Sequence, residues 1–318
     1  MTLPENGALP LHGLVEGKSE NYEWNSQRCS YRVIGQLVGD SPPVLSLHPI
    51  GVGLSGAFWS RFDAQWVQRG LPWPLVHPDL LGCGHSSLPP HAIRNEDWAE
   101  QISCLWRQQI HQPCVLLVQG ASFPIAIELW TRIPEAIRGM VLAGPPSWRL
   151  ISEHGNPQLA DGLWRWFFST GAGALFYRYA RTPGFLRSFS VKQLFDRPED
   201  VDEEWIAMLQ DGSHDMATRY AVFSFLAGWW RRDYREELQS LQCPVLALFG
   251  EHASGISGRG KGDSPEQKLW DYTTHLPAAQ GRLLPGRNVL PWEAPGPFVE
   301  TVAEWLEQTQ LAPNGSNS

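Results

Sequence analysis

The sequence predicts an α/β fold with a mostly parallel central sheet and an inserted helical segment, and three observations carry that prediction. Short, almost wholly apolar runs recur from Pro42 to Glu251, helical patterns separate them, and one long stretch breaks the rhythm. A strand that is apolar throughout belongs in a parallel sheet, because helices cover both of its faces. The alternation of such strands with helices is that of the α/β class.

Taken in order, Asn21 to Gln36 alternates aromatic or apolar with polar residues around a short polar break, the pattern of an antiparallel hairpin at a sheet edge. The runs Pro42 to Pro49, Trp73 to Leu80, Cys114 to Gly120, Arg138 to Pro145 and Pro244 to Glu251 are the expected buried strands, with Gly281 to Gly286 as a further one. Helices are expected over Ala57 to Arg69, Asn95 to His111, Pro124 to Arg132 and Pro297 to Gln308. Between Pro146 and Gln242 the chain is helical in pattern and crowded with aromatics, Trp164, Trp166, Trp205, Trp229 and Trp230 among them. The predicted organisation is an N-terminal extension (1–20), a core (21–145 and 243–309), a helical insertion (146–242) and a polar tail (310–318) expected to fray.

Composition bounds the function. With 42% hydrophobic and 18% charged residues the chain can bury a large core, and a net charge of -8 gives no basic surface for nucleic acid. The five cysteines form no C-x-x-C pair, so neither a redox motif nor a zinc knuckle is read, and no cofactor or metal is expected. No apolar stretch reaches the length of a membrane span and no signal-like segment opens the chain, so a cytoplasmic protein is expected. Nothing in the sequence names a protein partner.

Several local motifs follow one another in a telling order. Leu47 to Gly51 (LHPIG) follows one strand and Pro78 to Ser87 (PDLLGCGHSS) the next; Gly120 to Pro124 (GASFP) joins a buried strand to a helix, and Asn288 to Pro295 reads NVLPWEAP. Together they resemble the α/β-hydrolase superfamily over roughly Tyr22 to Glu307: its oxyanion loop, its D-x-x-G-x-G-x-S loop, its nucleophile elbow and its H-x-x-x-x-E-x-P segment. The run HPIGVGLSGAFW is similar to α/β-hydrolase-like proteins of cyanobacteria and plastids. The resemblance implies an α/β-hydrolase fold in which the insertion is a helical cap.

It also implies roles. Ser122 stands at the elbow, where a sharp turn would expose a nucleophilic hydroxyl, and the backbone N–H groups of Phe123 and Ile50 would form the oxyanion hole. His48 would order the oxyanion loop and Asp79 the loop after the next strand. The pattern departs from G-x-S-x-G at Pro124. Counting back from Glu293 reaches Asn288 where the family has its histidine, and an amide cannot take a serine proton. Ala253 stands where an aspartate is usual. Losing the base of a triad costs about a million-fold in rate. His252 and His85 are the candidates for a relocated base, since triads are defined by geometry.

The residues leave two functions open, and a third, lyase-type or cofactor-free chemistry that uses the oxyanion loop without a covalent intermediate, would need a base that the sequence does not identify. One is a serine hydrolase acting on an ester of a small lipophilic molecule held under the aromatic cap, through Ser122 and a relocated base. The other is a non-catalytic pseudo-hydrolase that binds a ligand or assembles with a partner, with Asn288 as a binding residue. Fold alone does not choose between them.

Overall fold

The structure is a computed structural model that describes residues 17–39, 41–255, 262–309 and 311. An eight-stranded sheet runs through it in the order β1-β2-β4-β3-β5-β6-β7-β8. Strands β1 (Lys18–Trp24) and β2 (Gln27–Ile34) form the expected edge hairpin. Its turn residues Asn25 and Ser26 have φ of 48° and 60°, the left-handed pair that a tight hairpin turn requires. β2 pairs antiparallel with β4 (Leu75–Pro78), and every later pairing is parallel: β3 (Val44–Leu47), β5 (Cys114–Gln119), β6 (Ile137–Ala143), β7 (Val245–Gly250) and β8 (Ala279–Leu284). Strands β3, β4, β5 and β7 are buried at every position and β6 at all but Arg138, as their largely apolar runs dictate.

On one face lie α2 (Asn95–Leu105), α3 (Phe123–Arg132) and α11 (Pro265–His275), and on the other α1 (Ser60–Gln68) and α12 (Pro295–Gln308). Beneath α1, Asp63 meets His77 of β4 at 2.9 Å and also pairs with Arg32 of β2, so a buried carboxylate is compensated from two strands. Helix α11 escaped the sequence reading, although Ser264 caps its first turn by accepting from the N–H of Gln267 at 3.2 Å. The tail also departs from expectation at Leu311, which is buried and accepts the indole N–H of Trp73 at 2.8 Å. Residues 1–16 of the expected extension and residues 310 and 312–318 of the tail lie outside the described residues.

Between β6 and β7 there are only helices: α4 (Trp148–Ser152), α5 (Pro157–Leu163), α6 (Gly171–Ala180), α7 (Pro183–Phe189), α8 (Glu203–Gly212), α9 (Arg219–Ala227) and α10 (Arg235–Gln239). Part of this insertion has its own small core around Phe168, Tyr177 and Phe223, whereas Trp205 of α8 is wholly buried against Phe58 and Trp292 of the sheet domain, with ring centroids 6.3 and 5.0 Å away. The tryptophan-rich composition is thus largely structural: Trp59, Trp66, Trp98, Trp205 and Trp292 are all wholly buried. Among the described residues no helix is long and apolar enough to cross a membrane.

Candidate functional site at the carboxyl ends of the strands

In open α/β sheets, chemistry is placed where parallel strands end and loops begin. Strand β5 ends at Gln119, and the chain turns at once into a short 3-10 turn (Gly120–Ser122) and then α3. The residue that makes this turn is Gly120, at φ 58°. A Cβ at Gly120 would meet no atom within 4 Å apart from its chain neighbours, so a side chain there would project into open space. Gly120 carries none.

Ser122 lies two residues further on, in helical conformation (φ -78°, ψ -4°), with no exposed surface. Its hydroxyl donates to the carbonyl of His48 at 2.7 Å. The N–H of Phe123, expected to point into an oxyanion hole, instead donates to the carbonyl of Gly120 and closes the 3-10 turn. Pro124 falls in the first turn of α3, where its missing N–H costs nothing.

The loop after β3 is held from several sides. His48 is wholly buried, donates through Nδ1 to the carbonyl of Pro49 at 2.8 Å and accepts the N–H of Leu80 at Nε2, 3.0 Å away. Both ring nitrogens are committed, and burial holds its pKa below the usual histidine range, opposed in part by Asp79. Asp79 in turn accepts from the N–H groups of Gly56 and His85, each at 2.8 Å. Ile50 is buried beside this frame. Against Gly53 the insertion makes backbone contact: a Cβ on Gly53 would sit 1.9 Å from the carbonyl oxygen of Leu209 in α8, and one on Gly212 would sit 2.2 Å from the carbonyl oxygen of Gly53. Gly53 also has φ of 77°, so glycine is required there twice over.

Asn288 remains next to the turn, since its carbonyl accepts the side-chain amide of Gln119 at 2.8 Å. Its own side chain is turned to other partners. Nδ2 donates to the carbonyls of Gln193 (2.6 Å) and Ser254 (3.1 Å), and Oδ1 accepts the N–H of Ser254 at 3.3 Å. Its backbone N–H donates to Leu194 at 3.0 Å. Arg287 adds bonds to the carbonyl of Lys192 at 2.9 Å and to Ser254 Oγ at 2.7 Å, while Glu293 accepts from the N–H of Asp196 (2.5 Å) and of Arg287 (2.8 Å). Burial pushes the Glu293 carboxyl up, against the lowering effect of those two N–H groups. Residues 287–293 therefore form a clasp on insertion segment 192–196. Sequence reasoning placed Asn288 and Glu293 but not their partners in 192–196, which lie about a hundred residues away along the chain and carry no motif.

The two candidate bases lie apart from the turn's own hydrogen bonds. His252, in the loop after β7, pairs through Nδ1 with Asp196 of the insertion at 3.1 Å and is largely exposed. His85 is exposed, and its bonds run through its backbone, the carbonyl accepting from Arg28 at 3.1 Å. No hydrogen bond joins either imidazole to Ser122, whose hydroxyl proton goes to His48. Ala253 is buried with its N–H on Gly250. Two surface clefts, of about 460 and 550 Å³, are lined around Trp66 and Trp73 and around Trp130 and Ser240, away from all of these residues. Among the described residues no cluster of His, Cys, Asp and Glu could hold a metal.

Comparison with known proteins places this geometry in context. A family model described as the alpha/beta hydrolase family matches residues 44–301. A proline iminopeptidase of Levilactobacillus brevis is 32% identical over 130 residues, which are 40% of this chain and 42% of that protein, so the match spans well under half of either. The fold is similar to that of an esterase from Thermogutta terrifontis, with a TM-score of 0.68 and 19% identity over 92% of this chain and 99% of the other. It is equally similar to an enol-lactonase from Burkholderia xenovorans LB400, with a TM-score of 0.68 and 17% identity over 91% and 100% of the two chains. With most of its length matched, and with the strand order and turn just described, the chain belongs to the alpha/beta hydrolase family.

Proposed function

We propose that this family member is non-catalytic toward acyl substrates and works by binding, with the helical insertion acting as a fixed cap over the ends of the strands. The observation that carries the reading is the occupancy of the sharp turn: Gly120, at φ 58°, stands where a strand-to-helix elbow presents its nucleophile. A hydroxyl two residues later, buried and donated to a carbonyl, is neither accessible nor paired with a base. Asn288 supports the same reading, since an amide with both ends hydrogen-bonded has no proton-accepting capacity to offer. The clasp of 287–293 on 192–196 fits a cap that holds its place instead of opening at each turnover.

One observation favours the second reading, a hydrolase with a relocated base: His252 is oriented by Asp196 at 3.1 Å, the base-and-carboxylate half of a triad. The two readings separate on turnover of p-nitrophenyl esters of short and medium chain length and of proline p-nitroanilide. The non-catalytic reading expects no rate above the buffer for wild type, for Ser122→Ala or for His252→Ala. A wild-type rate abolished by either substitution overturns it.

A further inference from the structure

We propose that the outer face of α5, α6 and α7 is a docking surface for an anionic lipid bilayer. On α5 and the wide helical turn that continues it (Trp164–Phe168), Leu159, Leu163 and Trp166 recur at helical spacing on one side, and Trp166 is 77% exposed. On α6, Leu175 and Tyr179 do the same at 68% and 61% exposure. On the surface α6 continues into α7, where Tyr179 meets Phe185 at 5.2 Å and Phe185 stacks on the exposed Phe189 at 6.2 Å, while beneath it Phe167 and Phe176, part-buried against the core of the insertion with ring centroids 5.9 Å apart, hold the α5 turn against α6. Large apolar side chains aimed outward from three successive helices form a contiguous patch of the kind that marks an interaction site.

Charge selects the occupant. The whole chain carries a net charge of -8, yet between Pro157 and Phe195 the basic residues are Arg165, Arg178, Arg181, Arg187 and Lys192, against Asp161 alone; of these Arg187 pairs with Glu203 at 2.5 Å and Arg181 donates to the carbonyls of Ser213 and His214, which leaves Arg165 and Arg178 as the charges offered outward from α5 and α6. Asp161 is already engaged, accepting the indole N–H of Trp229 at 2.9 Å and lying 3.7 Å from Arg94. Arg165 and Arg178 are exposed and form no ion pair among the described residues, and Arg165 lies over the ring of Trp166 at 5.8 Å. A basic, aromatic surface on an otherwise acidic protein matches the interface of an anionic leaflet. Trp and Tyr settle at headgroup depth, leucines enter the acyl boundary, and arginines lay their stems along the apolar surface with the guanidinium at the phosphates. The association proposed is peripheral, through side chains of this face; no helix among the described residues is long and apolar enough to cross a membrane.

The test is co-sedimentation of the full chain with sucrose-loaded vesicles of phosphatidylcholine, with and without phosphatidylglycerol. The proposal expects binding to the mixed vesicles, much weaker binding to phosphatidylcholine alone, and release by added sodium chloride. Affinity should fall about fivefold for each of Arg165→Gln and Arg178→Gln, and about tenfold for the double variant Trp166→Ser, Tyr179→Ser. These side chains are exposed, so the melting temperatures of the variants should match wild type and separate lost docking from lost folding. The proposal is overturned if wild type stays in the supernatant, if phosphatidylcholine alone binds as well, or if the variants sediment like wild type. It is equally overturned if the patch proves to be a protein contact, seen by light scattering as a dimer that the Trp166/Tyr179 variant dissolves, in a chain that ignores vesicles.

Discussion

The hydroxyl of Ser122 and the carbonyl of His48 are joined by a 2.7 Å hydrogen bond with no solvent access on either side. This bond ties the start of α3 to the loop after β3, and it gives the serine a structural task. Replacing Ser122 by alanine leaves a buried carbonyl with one partner fewer, which costs about 1–2 kcal/mol. Urea denaturation of Ser122→Ala should show that loss, while any ligand binding at the strand ends is retained. Unchanged stability would contradict the assignment.

His48 makes the same frame sensitive to acid. Its folded pKa is depressed by burial, so the stability it contributes is present above the usual histidine value and is lost as pH falls through that value toward the depressed one. Asp79, whose charge opposes the shift, and the neighbouring His77 are the ionisable groups acting on it. Within that window the slope is about 1.4 kcal/mol per pH unit. Melting curves from neutral pH downward should fall more steeply for wild type than for His48→Gln, whose amide can serve the same two backbone partners without titrating. Parallel curves would contradict this account.

The clasp of Arg287 and Asn288 on residues 192–196 should govern how firmly the insertion is held. Arg287→Ala removes bonds to Lys192 and Ser254 together, and Asn288→Ala frees the carbonyl of Gln193. Each should cost about 2 kcal/mol and speed limited proteolysis between Ser190 and Asp200, read by mass spectrometry of the fragments. Cleavage at the wild-type rate would mean that the clasp does not hold the insertion.

Gly53 offers a sharper probe of the same contact. Alanine there would drive a methyl to 1.9 Å from the Leu209 carbonyl oxygen in a left-handed backbone conformation. A loss of about 3 kcal/mol or more is expected in thermal unfolding of Gly53→Ala, with a similar loss for Gly212→Ala. A change within about 0.5 kcal/mol would show that α8 does not rest on this loop.

Much of this was legible in the sequence, and the remainder was hidden for physical reasons. Val44–Leu47, Cys114–Gln119 and Val245–Gly250 announce themselves because a strand covered on both faces has to be apolar throughout. Asn288 could be placed by counting from Glu293, and the structure sets it beside Gln119 at the turn. The turn itself was harder to read. In the motif GASFP the serine is the conspicuous residue, whereas β5 ends at Gln119 and the residue with positive φ directly after it is Gly120. The useful signal was the strand end followed directly by the one residue type that adopts positive φ freely. The contact of Gly53 with α8 and the bond from Ser122 to His48 join segments far apart in the chain, and neither periodicity nor spacing encodes them.

The most direct measurement is the intact mass of the protein after incubation with a fluorophosphonate, which couples covalently to an activated serine. Wild type is expected to keep its mass unchanged, and so is Ser122→Ala, because the hydroxyl at 122 is buried and Gly120, at the left-handed bend after β5, carries no side chain. A wild-type adduct that disappears in Ser122→Ala would contradict the account at its centre.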